Sequence, residues 1–172
     1  CDGAFPIKVM VLHMRSLNGI ETERTQQKRY EQAESVAQMV QDIQNADPNV
    51  HLVVAGDFNA FEFTDGYVDL AGIIKGDYEP SDSLVCDFNP CTDLIDPDLA
   101  DEVLLIPAAE RYSYTFDGNA QVLDHAMTSA GLGDLVQDLE YGRGNADAAE
   151  ELLDDNGTLA PLSLRSSDHD GL

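Results

Sequence analysis

Val53-Val54-Ala55-Gly56-Asp57-Phe58-Asn59-Ala60 is the stretch whose reading decides the fold. Its apolar start reads as a buried strand, and Gly56 then interrupts it where a tight turn needs a permissive backbone. Asp57 and Asn59 stand two positions apart, so on an extended backbone they point to one side. Small polar groups emerging from the end of a buried strand are where open α/β proteins keep their chemistry. Two later segments carry matching residues, Leu123-Asp124-His125 and Ser167-Asp168-His169. The three are expected to meet in space and hold a phosphate ester with a divalent metal.

Outward from that stretch, residues 6–13 alternate β-branched and other residues as a strand ending at His13. Residues 25–46 place Tyr30, Ala33, Val36, Ala37, Val40 and Ile43 on one apolar helical stripe. Asp47-Pro48-Asn49 then stops the helix. With a strand over 51–55, this order is a βαβ-like unit. A parallel return would put His13 and Asp57 at the same strand ends. A short helix is predicted over 65–74, ended by Gly76. Residues 77–107 read as a long acidic surface excursion with room for one short helix. Strands at 112–116 and 121–129 around Asp117-Gly118-Asn119 form a predicted hairpin. A further strand is expected near 135–141, helical composition over 145–154, a turn at Asn156-Gly157 and a last segment over 162–169.

The chain of 172 residues fits a single domain over 1–172. No apolar run approaches the roughly 20 residues of a spanning helix, so no stable membrane insertion is expected. Nine Lys plus Arg against 33 Asp plus Glu give a net charge of −24. That balance argues against a large nonspecific nucleic-acid footprint, which normally needs the opposite sign. It leaves phosphate chemistry open, because metal ions change the local sign. It also suits a protein kept soluble at high ionic strength. Cys86 and Cys91 flank turn-rich Asp87-Phe88-Asn89-Pro90, where a local disulfide is favoured over free thiols or a zinc site. Such a bond implies an oxidising compartment and leaves Cys1 over.

Each candidate residue has a plain reading beside the functional one. Asp57 and Asn59 can form a simple Asx turn. As chemistry, the carboxylate orients or deprotonates a water, while the carboxamide donates to a phosphoryl oxygen and accepts from that water. Asp168-His169 can be solvated surface; otherwise Asp168 is a hard oxygen ligand for Mg²⁺ or Mn²⁺. Asp124 lies among apolar neighbours and needs a partner, and His169 is the expected one, as in an Asp–His pair. His125 is expected to be a hydrogen-bonded core histidine. His13 either caps a strand or donates to a phosphate oxygen, and Arg15 nearby is ordinarily solvated.

Taken together, His13, Gly56-Asp57-Phe58-Asn59, Leu123-Asp124-His125 and Ser167-Asp168-His169 resemble the endonuclease/exonuclease/phosphatase superfamily, the group of deoxyribonuclease I. His13-Met14-Arg15-Ser16, Arg29, Gln32 and Ala33, and Arg111-Tyr112-Ser113-Tyr114 look like its bacterial secreted or surface nuclease-like branch. The resemblance covers nearly the whole chain. It implies an α/β four-layer sandwich and metal-dependent hydrolysis of a phosphoester, nucleic acid being the substrate class. It assigns catalytic roles to His13, Asp57, Asn59, Asp124 and His169. Asp57, Asn59 and Asp168 are the implied metal-side residues, with Mg²⁺ or Mn²⁺ as cofactor. The family's N-terminal Asn and Glu have no match, since Glu21 and Glu23 follow His13. The chain therefore reads as the C-terminal portion of such a domain, weakly active or inactive alone, with a sheet edge open to self-association.

Two rivals stay open. One is a phosphatase or lipid phosphodiesterase of the same fold. The other is a non-catalytic acidic surface module with a cation patch at Asp93, Asp96, Asp98 and Asp101, although that run lacks an EF-hand's glycine and spacing.

Overall fold

The computed structural model describes residues 5–148 and 167–172. Expectations placed on Cys1, on the helical composition beyond 148, on Asn156-Gly157 and on most of 162–169 lie outside the described residues.

Strand β1 (Lys8–His13), helix α1 (Glu23–Ala46) and strand β2 (Leu52–Asp57) form the βαβ unit that the spacing predicts. β1 and β2 run parallel with His13 opposite Asp57, so both side chains leave the sheet at the same end. Thr22 caps α1 by accepting from the Thr25 N–H, and Glu23 favours the positive end of the helix. Asp47 ends it, its N–H on the Ile43 carbonyl. The stripe Tyr30, Ala33, Val36, Ala37 and Val40 is buried in one core with Leu52, Val54 and Met127 of the sheet. Leu70, Ile73 and Ile74 of α2 (Leu70–Lys75) join the same core. Burying side chains of this size stabilises the fold by about 1.5–3 kcal/mol each.

Gly56 corrects the sequence reading. It lies inside β2 rather than in a turn, at φ +135°. A Cβ there would stand 2.1 Å from the Leu12 carbonyl oxygen, so close approach of β1 is what requires glycine. Helix α2 also starts later than 65, because the Asp65 carboxylate accepts from the N–H groups of Tyr67 and Val68 and holds a turn there.

Residues 77–107 are not merely a surface excursion. They contain single 3₁₀ turns at Pro80–Asp82, Leu84–Asp87 and Glu102–Leu105 and the short strand β3 (Ala100–Asp101). Val85, Ile95, Leu99, Val103 and Ile106 from this segment are buried. Their apolar residues are separated by Asp and Pro, so no run is long enough to show a period. Cys86 and Cys91 are disulfide-bonded, with Cα atoms 5.4 Å apart.

The predicted strand 121–129 is split. β4 (Tyr114–Phe116) pairs with β5 (Asn119–Gln121), whereas β6 (Asp124–Thr128) pairs antiparallel with β2. The cause is local. Ser113 Oγ accepts from the N–H groups of both Leu123 and Asp124, and Phe58 donates to the Leu123 carbonyl. The chain is thereby drawn off the hairpin onto the main sheet. Among the described residues, 135–141 form no strand; Gly133–Leu135 is a 3₁₀ turn. Tyr141 is held by its hydroxyl, which donates to the Asp124 carbonyl at 2.6 Å.

The molecule is a mixed α/β fold: a four-stranded sheet in the order β1-β2-β6-β3 and the two-stranded β4–β5 sheet. β1 pairs only with β2 among the described residues. Met10 and Leu12 turn toward the helices, while Val9 and Val11 are 63% and 78% exposed on the other face. No described helix is long and apolar enough to cross a membrane.

Candidate active site

The C-terminal ends of β1 and β2 and the start of β6 meet at one point, because Asp57 stands opposite both His13 and Asp124 in the sheet register. The fourth piece comes from the chain end. The Asp170 N–H donates to the Ser113 carbonyl, and His169 bridges to Tyr114 at the hairpin edge. His169 therefore lies above Asp124, and its Nδ1 donates to Asp124 Oδ2 at 2.7 Å. The expected Asp–His pair is present. Tyr114 packs on the other side of the imidazole, ring centroids 4.7 Å apart.

Asn59 reaches Asp57 by a route other than the extended backbone expected. Its φ is +48°, a left-handed conformation that Asn tolerates better than most residues. The Asn59 N–H donates to Asp57 Oδ1 at 2.7 Å and its Nδ2 to Asp57 Oδ2 at 2.8 Å. The Asx turn of the plain reading therefore also holds the Asn59 carboxamide against the Asp57 carboxylate. Nδ2 also donates to the Met14 carbonyl at 3.1 Å. With both amide hydrogens engaged, the expected donation to a phosphoryl oxygen is not the role this geometry offers; Oδ1 is left to accept from a water.

Sequence reasoning missed Arg29 as the residue that sets this conformation. It is fully buried on α1, donating to the Arg15 carbonyl and, at 2.9 Å, to the Asn59 carbonyl. Asp65 lies 3.9 Å away. Burial lowers the guanidinium pKa, and Arg15 adds to that, while Asp65 and Asp57 oppose it. Its signal was position: a charged residue between Gln26 and Ala33 on the apolar stripe needs a buried partner.

Electrostatics divide the acid and base groups. Burial raises the Asp57 pKa, opposed by the Asn59 N–H and His169, so the carboxylate is a better base than an exposed one. The hydrogen bond that His169 donates to Asp124 raises the His169 pKa against desolvation, which favours the imidazolium. His125 is a buried core histidine, as expected, between Asp101 (2.9 Å) and the Ala60 carbonyl (2.9 Å). Burial works against its charged form, but these two partners outweigh it and the pKa is raised. His13 is 80% exposed and 3.5 Å from Asp57 Oδ2, a rim position.

All the sequence-predicted site residues, His13, Asp57, Asn59, Asp124, Asp168 and His169, line one cavity of about 970 Å³. Within it, Asp57, Asp124 and His169 each offer a ligand atom, all within 4.8 Å of one another. Asp168 is exposed on the wall and outside that trio, and Asn59 faces Asp57. Two carboxylates and an imidazole are a donor set that could hold a divalent metal ion. Fold and site together define a mixed α/β protein with an Asp–Asp–His cluster at its sheet end. No family model, curated protein or solved structure matches the chain.

Proposed function

We propose that this protein is a divalent-metal-dependent phosphoesterase, acting on phosphodiester bonds of nucleic acid outside the cytoplasm or at the cell surface. The observation that carries this reading is the hydrogen-bonded His169–Asp124 pair facing a desolvated Asp57 that Asn59 holds in place. Asp57 accepts a proton from the attacking water, and Asn59 Oδ1 orients that water. His169, whose imidazolium form the Asp124 carboxylate favours, donates from Nε2 to the phosphoryl group or its leaving oxygen. His13 at the rim supplies a further donor. Asp57 and Asp124, with Asp168 on the cavity wall, would hold Mg²⁺ or Mn²⁺. A bound dication supplies electrostatic stabilisation of charge developing on the phosphoryl oxygens.

The finer architecture belongs to the same reading. With helices on one face of the main sheet and Val9 and Val11 bare on the other, a four-layer sandwich would stack a second sheet there. The open edge of β1 is also the place for self-association. The Cys86–Cys91 bond supports an oxidising location.

The test is hydrolysis of bis-p-nitrophenyl phosphate and of DNA by the full encoded chain with Mg²⁺ or Mn²⁺. His169→Ala and Asp57→Ala are expected to lower both rates on the order of 10²–10⁴-fold while circular dichroism stays unchanged. Activity on the small ester without any on DNA would replace the nuclease with a small-substrate phosphoesterase. No activity with any divalent ion would leave the acidic cation-binding module.

A further inference from the structure

Beside the cavity that holds the His169–Asp124 pair runs a second one of about 880 Å³. His13 and Ser16 line both, so the two adjoin at the end of β1. The far wall of the second is the exposed face of α1, where Lys28, Gln32 and Ser35 follow one another at helical spacing. Arg15 and Ser16 of the β1–α1 loop form the near wall. Gln32 is already oriented, its Oε1 accepting from the Arg15 N–H, which leaves its amide nitrogen as a donor.

Charge singles this groove out. In a chain with 33 acids and 9 bases, it carries Arg15 and Lys28 against one carboxylate, Glu31. Glu31 accepts from Gln27 at 2.9 Å. Two other cavities show the reverse, one with Glu110, Asp138 and Glu140 against Arg143, the other with four acids against Lys75. There the bases are spent on neighbouring carboxylates: Arg143 on Asp170 at 3.1 Å and Lys75 on Asp77 at 2.8 Å. Arg15 and Lys28 form no ion pair among the described residues. An Arg and a Lys kept clear of so many acids, beside the Ser16 hydroxyl and the Gln32 amide, match a row of phosphate oxygens.

We infer that the Arg15–Lys28 groove is a second phosphate subsite, which holds the polynucleotide strand on one side of the bond being cleaved. This deepens the phosphoesterase reading and rests on it. The substrate class is a chain of phosphodiesters rather than a lone ester, because the groove begins where the reaction cavity ends. The remote acids do not cancel it. At 0.15 M salt charges more than about 8 Å apart are largely screened, whereas contacts within the groove are not.

The test compares a single-stranded 12-mer oligodeoxynucleotide with bis-p-nitrophenyl phosphate, in the full chain with Mn²⁺. Arg15→Gln/Lys28→Gln should raise KM for the 12-mer on the order of tenfold and leave the small ester's kinetics unchanged. The slope of log affinity against log salt should shrink by about 1.4, two contacts at roughly 0.7 each for a single strand. Fluorescence anisotropy of the labelled 12-mer on the Asp57→Ala protein reads binding without turnover. Loss of anisotropy in the triple variant supports the subsite even if the hydrolytic reading falls. An unchanged KM and unchanged anisotropy overturn the subsite while leaving hydrolysis standing. Charge-dependent binding to phosphatidylglycerol vesicles but not to the 12-mer overturns it in favour of a lipid surface.

Discussion

The two sides of the cavity that His169, Asp124 and Asp57 line are built by different forces. Asp57 and Asp124 belong to β2 and β6, whose register is fixed by a core of Val54, Met127, Ile74 and the α1 stripe. His169 belongs to a chain end held by polar contacts. Asp170, 2% exposed, accepts from the N–H groups of Asn145 and Ala146 and pairs with Arg143. Arg143 lies 4.0 Å over the Tyr112 ring and also donates to the carbonyls of Tyr112 and Glu110. A strand register is shared by many residues and changes all at once. A polar anchor depends on one or two side chains, so the His169 wall is the one that a single substitution displaces.

The largest expected effects fall on Asp170 and Ile74, one on each side of the cavity. Asp170→Ala is expected to lower kcat/KM on the order of 10²-fold by misplacing His169, with a stability loss of about 1–3 kcal/mol in urea melts. Ile74→Ala should do the opposite, costing about 2–5 kcal/mol of stability while kcat/KM of the folded protein stays near its parent value. Equal kinetic damage from both would show that the two walls are not separately built.

A middle-sized effect falls on the covalent staple. Cys86→Ser/Cys91→Ser opens a short loop in the segment that carries Val85 and Ile95. It should destabilise by about 2 kcal/mol in the loop-entropy account, again without altering KM.

The smallest effect sharpens the electrostatic side. The raised His169 pKa means that the folded state binds the proton more tightly than the unfolded chain. The pair's stabilisation is therefore complete below the unbound value of 6.5 and is lost as pH rises through the higher folded value. Asp124→Asn should cost about 1–3 kcal/mol at pH 6 and clearly less at pH 9 in urea melts. A cost that does not change with pH would mean that the pair is not charged in the folded protein.

Much of this arrangement is legible in the sequence. The 3.6-residue stripe from Tyr30 to Val40, the stop at Asp47-Pro48 and the parallel placement of His13 and Asp57 follow from local pattern. So does the Asp124–His169 pairing, since a carboxylate between apolar neighbours needs a partner. The buried part of 77–107 is not legible there, because isolated buried residues such as Val85 and Ile95 leave no period to detect. The split of 121–129 was hidden because Ser113, eight residues before Gln121, captures the Leu123 and Asp124 amides.

The sequence by itself determined the βαβ unit, the chemical types at the site and the acidity of the surface, because periodicity and charge are properties of neighbours along the chain. Tertiary structure alone decided that Gly56 serves strand contact, that Arg29 holds the Asn59 backbone, and that Arg15 and Lys28 line one groove. Those facts depend on distances between segments that no local pattern encodes, and a buried guanidinium or an unpaired lysine acquires its meaning only from what the fold brings beside it.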